Sequence, residues 1–495
     1  MHSRPGFSSG LTAIAAAVLL VGCAVGPDFK VPAEPGTDAK GYTATPVSAL
    51  TASAPVVGGA TQRFVASESV PPQWWALFRS PQLDQLIRTG LRNSPSLAAA
   101  QDALRQAEEN YRVESGQLLA PAVNGQTTAQ RSRAADQTAP GTKTSNLFNA
   151  SLHISYSLDL SGGNRRELEG VAAKIDYQRF EVEATYQTLV ANIVTTAIRE
   201  ASLRAQLQAT RDVLALQTKQ LSVVEAQRVA GAIAPAAVLQ QRTQVAETEA
   251  TIPPLAKSLA FARHQLAVYV GQSPGADGLP EFDLDSLKLP DALPLTLPSA
   301  LVRQRPDIRA SEALLHVASA QVGVATAALY PQINLSASLG SEAFKPGGLF
   351  GAGGGFRNIA AGVTQPIFNG GALRAEKRSS EAAYEQARAQ YEETVLVAFQ
   401  NVADVLRSIE FDAEALQRLV DADGLAHQSL DLSTRQYGLG AVSYLALLDV
   451  QRTYQQTRLA LVQAQAARFA DTAALFQALG GGWWNSSADQ SKEPS

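Results

Sequence analysis

At 495 residues the chain is too long for one ordinary domain. A formal net charge of −4 with only 17% charged residues carries no footprint of a nucleic-acid binder, and no nucleic acid is expected among its partners. Hydrophobic residues make up 45% but aromatics only 6%, so the apolar content rests on Ala, Leu and Val, which suits long helices packed through small seams better than one large core.

In chain order, residues 1–22 read as a signal peptide, with Arg4 as its positive end and an apolar stretch over 11–21 that is too short to be a transmembrane helix. The stretch ends in Leu20-Val21-Gly22-Cys23, which resembles the bacterial lipobox, where cleavage precedes a lipidated cysteine. The plainer alternative is an ordinary leader with an incidental cysteine. As the only cysteine, Cys23 can form no internal disulfide, whereas acyl chains on it would tether the mature N-terminus to a membrane. A covalent lipid on Cys23 is the one non-protein group expected; no other cofactor is. Residues 23–72, rich in Pro, Gly, Thr and Ala, read as a lipidated, extended arm.

The remainder is written twice. Asn93-Ser94-Pro95 aligns with Gln304-Arg305-Pro306, Gly162 with Gly370, Gly231 with Gly440 and Gly271 with Gly480, all at offsets of 208 to 211 residues. Residues 73–276 form the first structural repeat, with strands expected near 122–134 and 149–160 and long helices over 165–229 and 235–270. A Pro-rich linker, 277–298, leads to the second repeat, 299–482, with strands near 332–341 and 357–368 and helices over 372–437 and 443–479. Residues 483–495 read as a disordered tail.

The helical stretches carry apolar residues at alternating steps of three and four. Phe399, Val402, Leu406, Ile409, Ala413, Leu416 and Val420 make one such seam, and Leu203, Leu207, Thr210, Leu214, Gln217, Leu221 and Val224 echo it, as coiled-coil packing requires. The alternative, an ordinary amphipathic helix in a soluble bundle, meets a length problem. Residues 165–229 would run roughly 100 Å at 1.5 Å per residue. Gly231 and Gly440 mark tight helix-to-helix turns, where freedom from Cβ strain permits a reversal.

The strands alternate with period two: Ala150, Leu152, Ile154, Tyr156 and Leu158 against Asn149, Ser151, His153, Ser155 and Ser157, with similar patterns from Ile333 and Ile359. A half-buried sheet in a soluble protein would show the same pattern, but so does a transmembrane barrel wall. Past the leader no 18-residue apolar run occurs, so a membrane-spanning reading must use strands. Four strands cannot close a barrel, and open edges in lipid are costly, so two, three or four copies must share one wall. Residues 134–147 and 341–356 are then the expected external loops. No P-loop, Gly-x-Ser-x-Gly elbow or His-Glu-x-x-His motif is present, and the five histidines are scattered, so an enzyme is not expected.

Assembled, these parts resemble the TolC-like outer membrane factors, specifically the lipoprotein (NodT/OprM-type) branch that serves resistance-nodulation-division efflux systems. The residues that carry the resemblance are Cys23-Ala24-Val25-Gly26-Pro27-Asp28-Phe29, Trp74-Trp75-Ala76-Leu77-Phe78, and above all Arg305-Pro306-Asp307-Ile308-Arg309 followed by Ala327-Ala328-Leu329-Tyr330-Pro331. The resemblance implies a membrane α/β fold: a homotrimer with a twelve-stranded transmembrane β-barrel, four strands per chain, continuing into a long α-helical coiled-coil periplasmic tunnel. It implies a cell outer membrane location, lipid-anchored and spanning, and contact with outer membrane lipid. Its implied partners are a periplasmic membrane fusion (adaptor) protein and an inner membrane resistance-nodulation-division pump. It maps the periplasmic gate onto residues 437–450, with Tyr444 and a ring of Asp449, and puts Gly231 and Gly440 at the tip. Ala446 stands where some members carry a second aspartate. A periplasmic coiled-coil adaptor or scaffold lipoprotein without a pore is the rival; it would share the leader and the heptads but has no need of paired strands. Drugs, solvents, metals and other small molecules all stay open as cargo.

Overall fold

The computed structural model describes residues 24–33, 41–66, 68–135, 142–351 and 353–485. The signal peptide, Cys23 and residues 486–495 of the tail lie outside them. The elements, in order, are β1 (Arg63–Ala66), α1 (Pro81–Asn93), α2 (Pro95–Leu119), β2 (Ala122–Ala135), β3 (Thr142–Leu158), α3 (Gly163–Val229), α4 (Pro235–Tyr269), β4 (Ala292–Leu295), α5 (Pro298–Gln304), α6 (Pro306–Ala327), β5 (Gln332–Ala343), β6 (Gly355–Thr364), α7 (Ala372–Gly438) and α8 (Tyr444–Ala478). Helices α3 and α7 have 67 residues each, and α4 and α8 have 35 each. The chain divides into two compact units. The first takes Met1–Ala33, Ala103–Arg179 and Ala310–Tyr391; the second takes Glu34–Asp102, Phe180–Arg309 and Glu392–Ser495.

The first unit is built on an antiparallel sheet of order β2-β3-β5-β6. Residues directly opposite in such a sheet share a face. Val123 opposes Ile154, Ile154 opposes Ala337, and Ala337 opposes Ile359, so one apolar face runs across all four strands. Asn124, His153, Ser338 and Asn358 line up in the same way on the other face. Among the described residues, the outer edges of β2 and β6 pair with no other strand.

The strand ends differ from the alternation read in the sequence. The ladder of β2 and β3 continues to Ala135 opposite Thr142, so residues 134–147 are not an open loop, and only 136–141 lie between the strands. Thr142–Asn146 is polar throughout, so it carries no alternation to read, yet its backbone hydrogen-bonds all the same. At the other end β6 stops at Thr364, short of residue 368, because Pro366 lacks the N–H that a further rung needs. Ile367 and Phe368 follow, 91% and 90% exposed.

The core of the second unit gathers around Trp74, which stacks on Phe476 at 5.4 Å, and Phe78, which packs against Phe469. The seam on α7 is buried where the spacing puts it, at Val402, Leu406, Ile409, Ala413 and Leu416. Two stretches that read as connectors are part of this core. Phe282, Leu284, Leu287 and Leu293 of the Pro-rich linker are buried, and its strand β4 pairs in parallel with β1 from the arm. The arm from residue 41 on is therefore stitched into the fold instead of standing free. Helix α4 runs on through Pro253 and Pro254. At the chain's end Trp483 donates from Nε1 to the Gln304 carbonyl at 2.7 Å, so the tail is ordered through Asn485.

Arg468 of α8 is fully buried in this unit. Its guanidinium donates to the carbonyl of Ile409 at 2.9 Å, to Thr51 Oγ1 at 3.3 Å and to the carbonyls of Gly58 and Ala60, tying the arm to α7. Asp471 lies one turn on, and burial, then a hydrogen bond with Asp412, push its carboxyl up to about 8. Burial also holds Arg468 below its usual value. The Asp471 carboxyl therefore keeps its proton at neutral pH. Because the folded value lies above the unfolded 3.8, the native state keeps a proton that the unfolded chain has released. This contribution is most favourable below that value and is lost as pH rises toward 8. Asn at position 471 retains the hydrogen bond and removes the titration. The melting temperature of Asp471→Asn in detergent is expected to fall less between about pH 5 and pH 8 than that of the parent chain. Parallel melting curves would remove the pair from the pH response.

Candidate functional site at the helix turns

The turns between α3 and α4 and between α7 and α8 are built alike. Gly231 has φ +72° and Gly440 has φ +73°, the left-handed region, and an added Cβ would meet nothing within 4 Å at either. The glycine is required by backbone conformation, not by crowding. Ala232 N–H returns to the Gln227 carbonyl at 2.9 Å, and Ala441 N–H to that of Gln436 at 2.8 Å, which satisfies carbonyls at each helix end. Pro235 opens α4, and the Ser443 hydroxyl caps α8 by accepting from the Ala446 N–H at 3.2 Å.

From these turns, polar side chains bridge α7 and α8 to α3 and α4 within the second unit. The Tyr444 hydroxyl donates to Gln241 Oε1, and the Tyr437 hydroxyl donates to Gln227 Oε1 at 2.9 Å, with the two rings 5.6 Å apart. Burial raises the pKa of both phenols, so they remain protonated donors. Two turns further along α8, Arg452 donates from Nε to Gln244 Oε1 at 2.7 Å and reaches Glu247 at 3.4 Å. Gln241 is itself fully buried and donates to the Gln217 carbonyl at 2.9 Å, so the acceptor that Tyr444 uses is held in place. A cavity of about 380 Å³, lined by Val213, Leu216, Gln220, His427, Thr434 and Tyr437, lies beside these bridges.

The structure brings Tyr444 into this network. Asp449 stays outside it: the side chain is exposed, and its backbone carbonyl accepts from Thr453. Arg452, Gln241 and Gln244 were not singled out from the sequence. Their signal is faint but real: Gln241, Gln244 and Thr248 repeat at seam spacing with polar side chains, and all three are buried. The four described histidines stand apart from one another on β3, α4, α6 and α7, and no group of His, Cys, Asp and Glu among the described residues could hold a metal ion.

A sheet with one apolar face and outer edges unpaired among the described residues, joined in sequence to very long paired helices whose turns are cross-linked by polar bridges, is the build of an outer membrane channel protein. The chain belongs to the outer membrane efflux protein family, whose profile matches it twice, over residues 86–272 and 297–481. It is 35% identical over 422 residues to the pyoverdine export outer membrane protein OpmQ of Pseudomonas aeruginosa, covering 83% of this chain and 87% of that one. Among solved structures, the outer-membrane channel OprN superposes with a TM-score of 0.83 at 27% identity, over 93% of this chain and all of OprN. The open state of the MtrE outer membrane channel of Neisseria gonorrhoeae gives 0.77 at 26% identity, over 93% of this chain and 98% of MtrE. The chain is thus the outer membrane channel component of an efflux system, a passive conduit and no enzyme. A pore-less adaptor is set aside by this membership.

Proposed function

We propose that three copies close a twelve-stranded barrel in the outer membrane and conduct small molecules handed over in the periplasm. The observation that carries this is the pair of outer edges, on β2 and β6, left unpaired among the described residues in a sheet that is apolar on one face. Each unpaired backbone group would cost several kcal/mol in lipid, so the edges must meet those of other copies. Acyl chains on Cys23 add a membrane anchor. An adaptor and a resistance-nodulation-division pump supply the driving force, since a passive duct has none. Toxic compounds are the cargo class; related channels are named for pyoverdine and toluene.

In this reading Gly231 and Gly440 stand at the periplasmic tip, and Tyr444, with Arg452, holds the gate by bridging α8 to α4. Asp449 faces the shared axis, where symmetry-related carboxylates repel one another and attract cations, and so act as a filter. The purified protein in planar bilayers tests the whole reading. A conducting oligomer with the mass of three chains is expected, and a lone, non-conducting chain would end it. In the same assay Asp449→Ala should lower cation selectivity and alter single-channel conductance. Traces identical to the parent's would take Asp449 out of the lumen.

A further inference from the structure

In the first unit the chain just after Cys23 is gripped. Val25 N–H donates to the Ser161 carbonyl at 2.9 Å. Arg166, with 6% of its side chain exposed, donates from Nε to the Val25 carbonyl at 3.2 Å and from Nη2 to Asp28 Oδ1 at 2.7 Å and the Gly26 carbonyl at 3.4 Å. Its Nη1 holds Glu169 Oε2 at 2.7 Å. The other oxygen of Glu169 meets His316 Nε2 at 2.9 Å, and the His316 ring stacks on Phe29 at 4.2 Å and 12°. Asp28 is solvent-exposed, so its own share is small; the backbone carbonyls and the Glu169–His316–Phe29 chain provide the grip. The slot is lined by glycine. A Cβ on Gly26 (φ +95°) would fall 2.5 Å from Gly323 Cα, and one on Gly162 (φ +78°) 2.4 Å from Ala24 Cα. Past the segment lies a cavity of about 730 Å³ beside Ser319, Lys377 and Tyr384, so the hold comes from the Arg166 side.

Ser161 and Gly162 join the end of β3 to the start of α3, and Ala24 rests on them. We infer that the Arg166 clamp is a positioning site for the lipid anchor: it holds Ala24 to Asp28, the residues that follow the acylated cysteine in the chain, against the strand-to-helix junction. This rests on the reading that the sheet spans the bilayer and Cys23 is acylated. Released, the leash would extend over at least the ten described residues 24–33, roughly 33 Å at about 3.3 Å per residue. Clamped, the leash is one residue, which keeps the sheet at high effective concentration at the membrane surface that it must enter.

The test is the yield of heat-modifiable oligomer in outer membranes for Arg166→Ala and Arg166→Lys, made both in the acylated chain and in a Cys23→Ser chain exported behind an ordinary cleavable leader. In the acylated chain Arg166→Ala should cut the yield about tenfold, with Arg166→Lys between. In the non-acylated chain neither should lower it further. Equal losses in both backgrounds would mean that Arg166 only stabilises the fold, and no loss in either would mean that the grip is idle; each overturns the inference. The oligomers that do form should conduct like the parent, so a failed clamp and a failed duct are told apart.

Discussion

Arg452→Ala combined with Tyr444→Phe is expected to leave the channel open. Both changes remove donors that bridge α8 to Gln241, Gln244 and Glu247 on α4, and neither touches the apolar seam. Arg452 is 56% exposed, so solvent screens its share. A net hydrogen bond is worth ~0.5–1.5 kcal/mol and roughly 1.4 kcal/mol is a factor of ten, so losing both donors should shift the proposed closed-to-open balance by about tenfold toward open. The adjacent cavity of about 380 Å³ leaves the helices room to move without new packing cost. The measurement is mean conductance in planar bilayers, supported by the entry of bulky antibiotics into cells that carry the double variant. Arg452→Lys keeps the charge but loses the Nε donor, so it should fall between. If the double variant stays as closed as the parent, these bridges do not gate.

Glu200→Ala should be strongly destabilising. Glu200 on α3 is fully buried and accepts from Arg204 at 2.6 Å, Arg263 at 3.2 Å and the Phe282 N–H at 2.9 Å. It thereby fastens α4 and the Pro-rich stretch to α3. Alanine would take a carboxylate from Arg204, which keeps Glu281, and from Arg263, which keeps the Leu279 and Pro280 carbonyls, and would leave a buried N–H without an acceptor, at a cost of ~1–3 kcal/mol. Calorimetry of the detergent-solubilised protein should show a clear fall in melting temperature, with earlier proteolytic nicking near residues 277–291. Glu200→Gln keeps the shape and part of the hydrogen bonding, so it should lie between. An unchanged melt for Glu200→Ala would show that the network adds nothing.

The parts most legible in the sequence were those governed by period. The offset near 209 residues, the apolar stripe through Val402, Ile409 and Leu416, and the two faces of β3 all follow from one local rule repeated along the chain. The turns at Gly231 and Gly440 were legible because a left-handed backbone leaves few residues to choose from. What local pattern cannot carry is pairing between distant polar groups. Arg468 looks like a surface helix residue until its partners at Thr51, Gly58 and Ile409 are brought together by the fold. Arg452 and Gln244 are silent for the same reason, and Arg166 takes its meaning from an N-terminal segment more than a hundred residues earlier. The arm and the Pro-rich stretch were misleading for a different reason. Proline density reads as a connector, whereas Phe282 and Leu293 within it are core residues.

The sheet's two bare rims have a thermodynamic consequence. Among the described residues β2 and β6 each lack an outer neighbour, so if copies close the wall as proposed, folding and association become a single equilibrium. On that proposal each melting temperature belongs to a concentration and a detergent, and dilution is itself a denaturant.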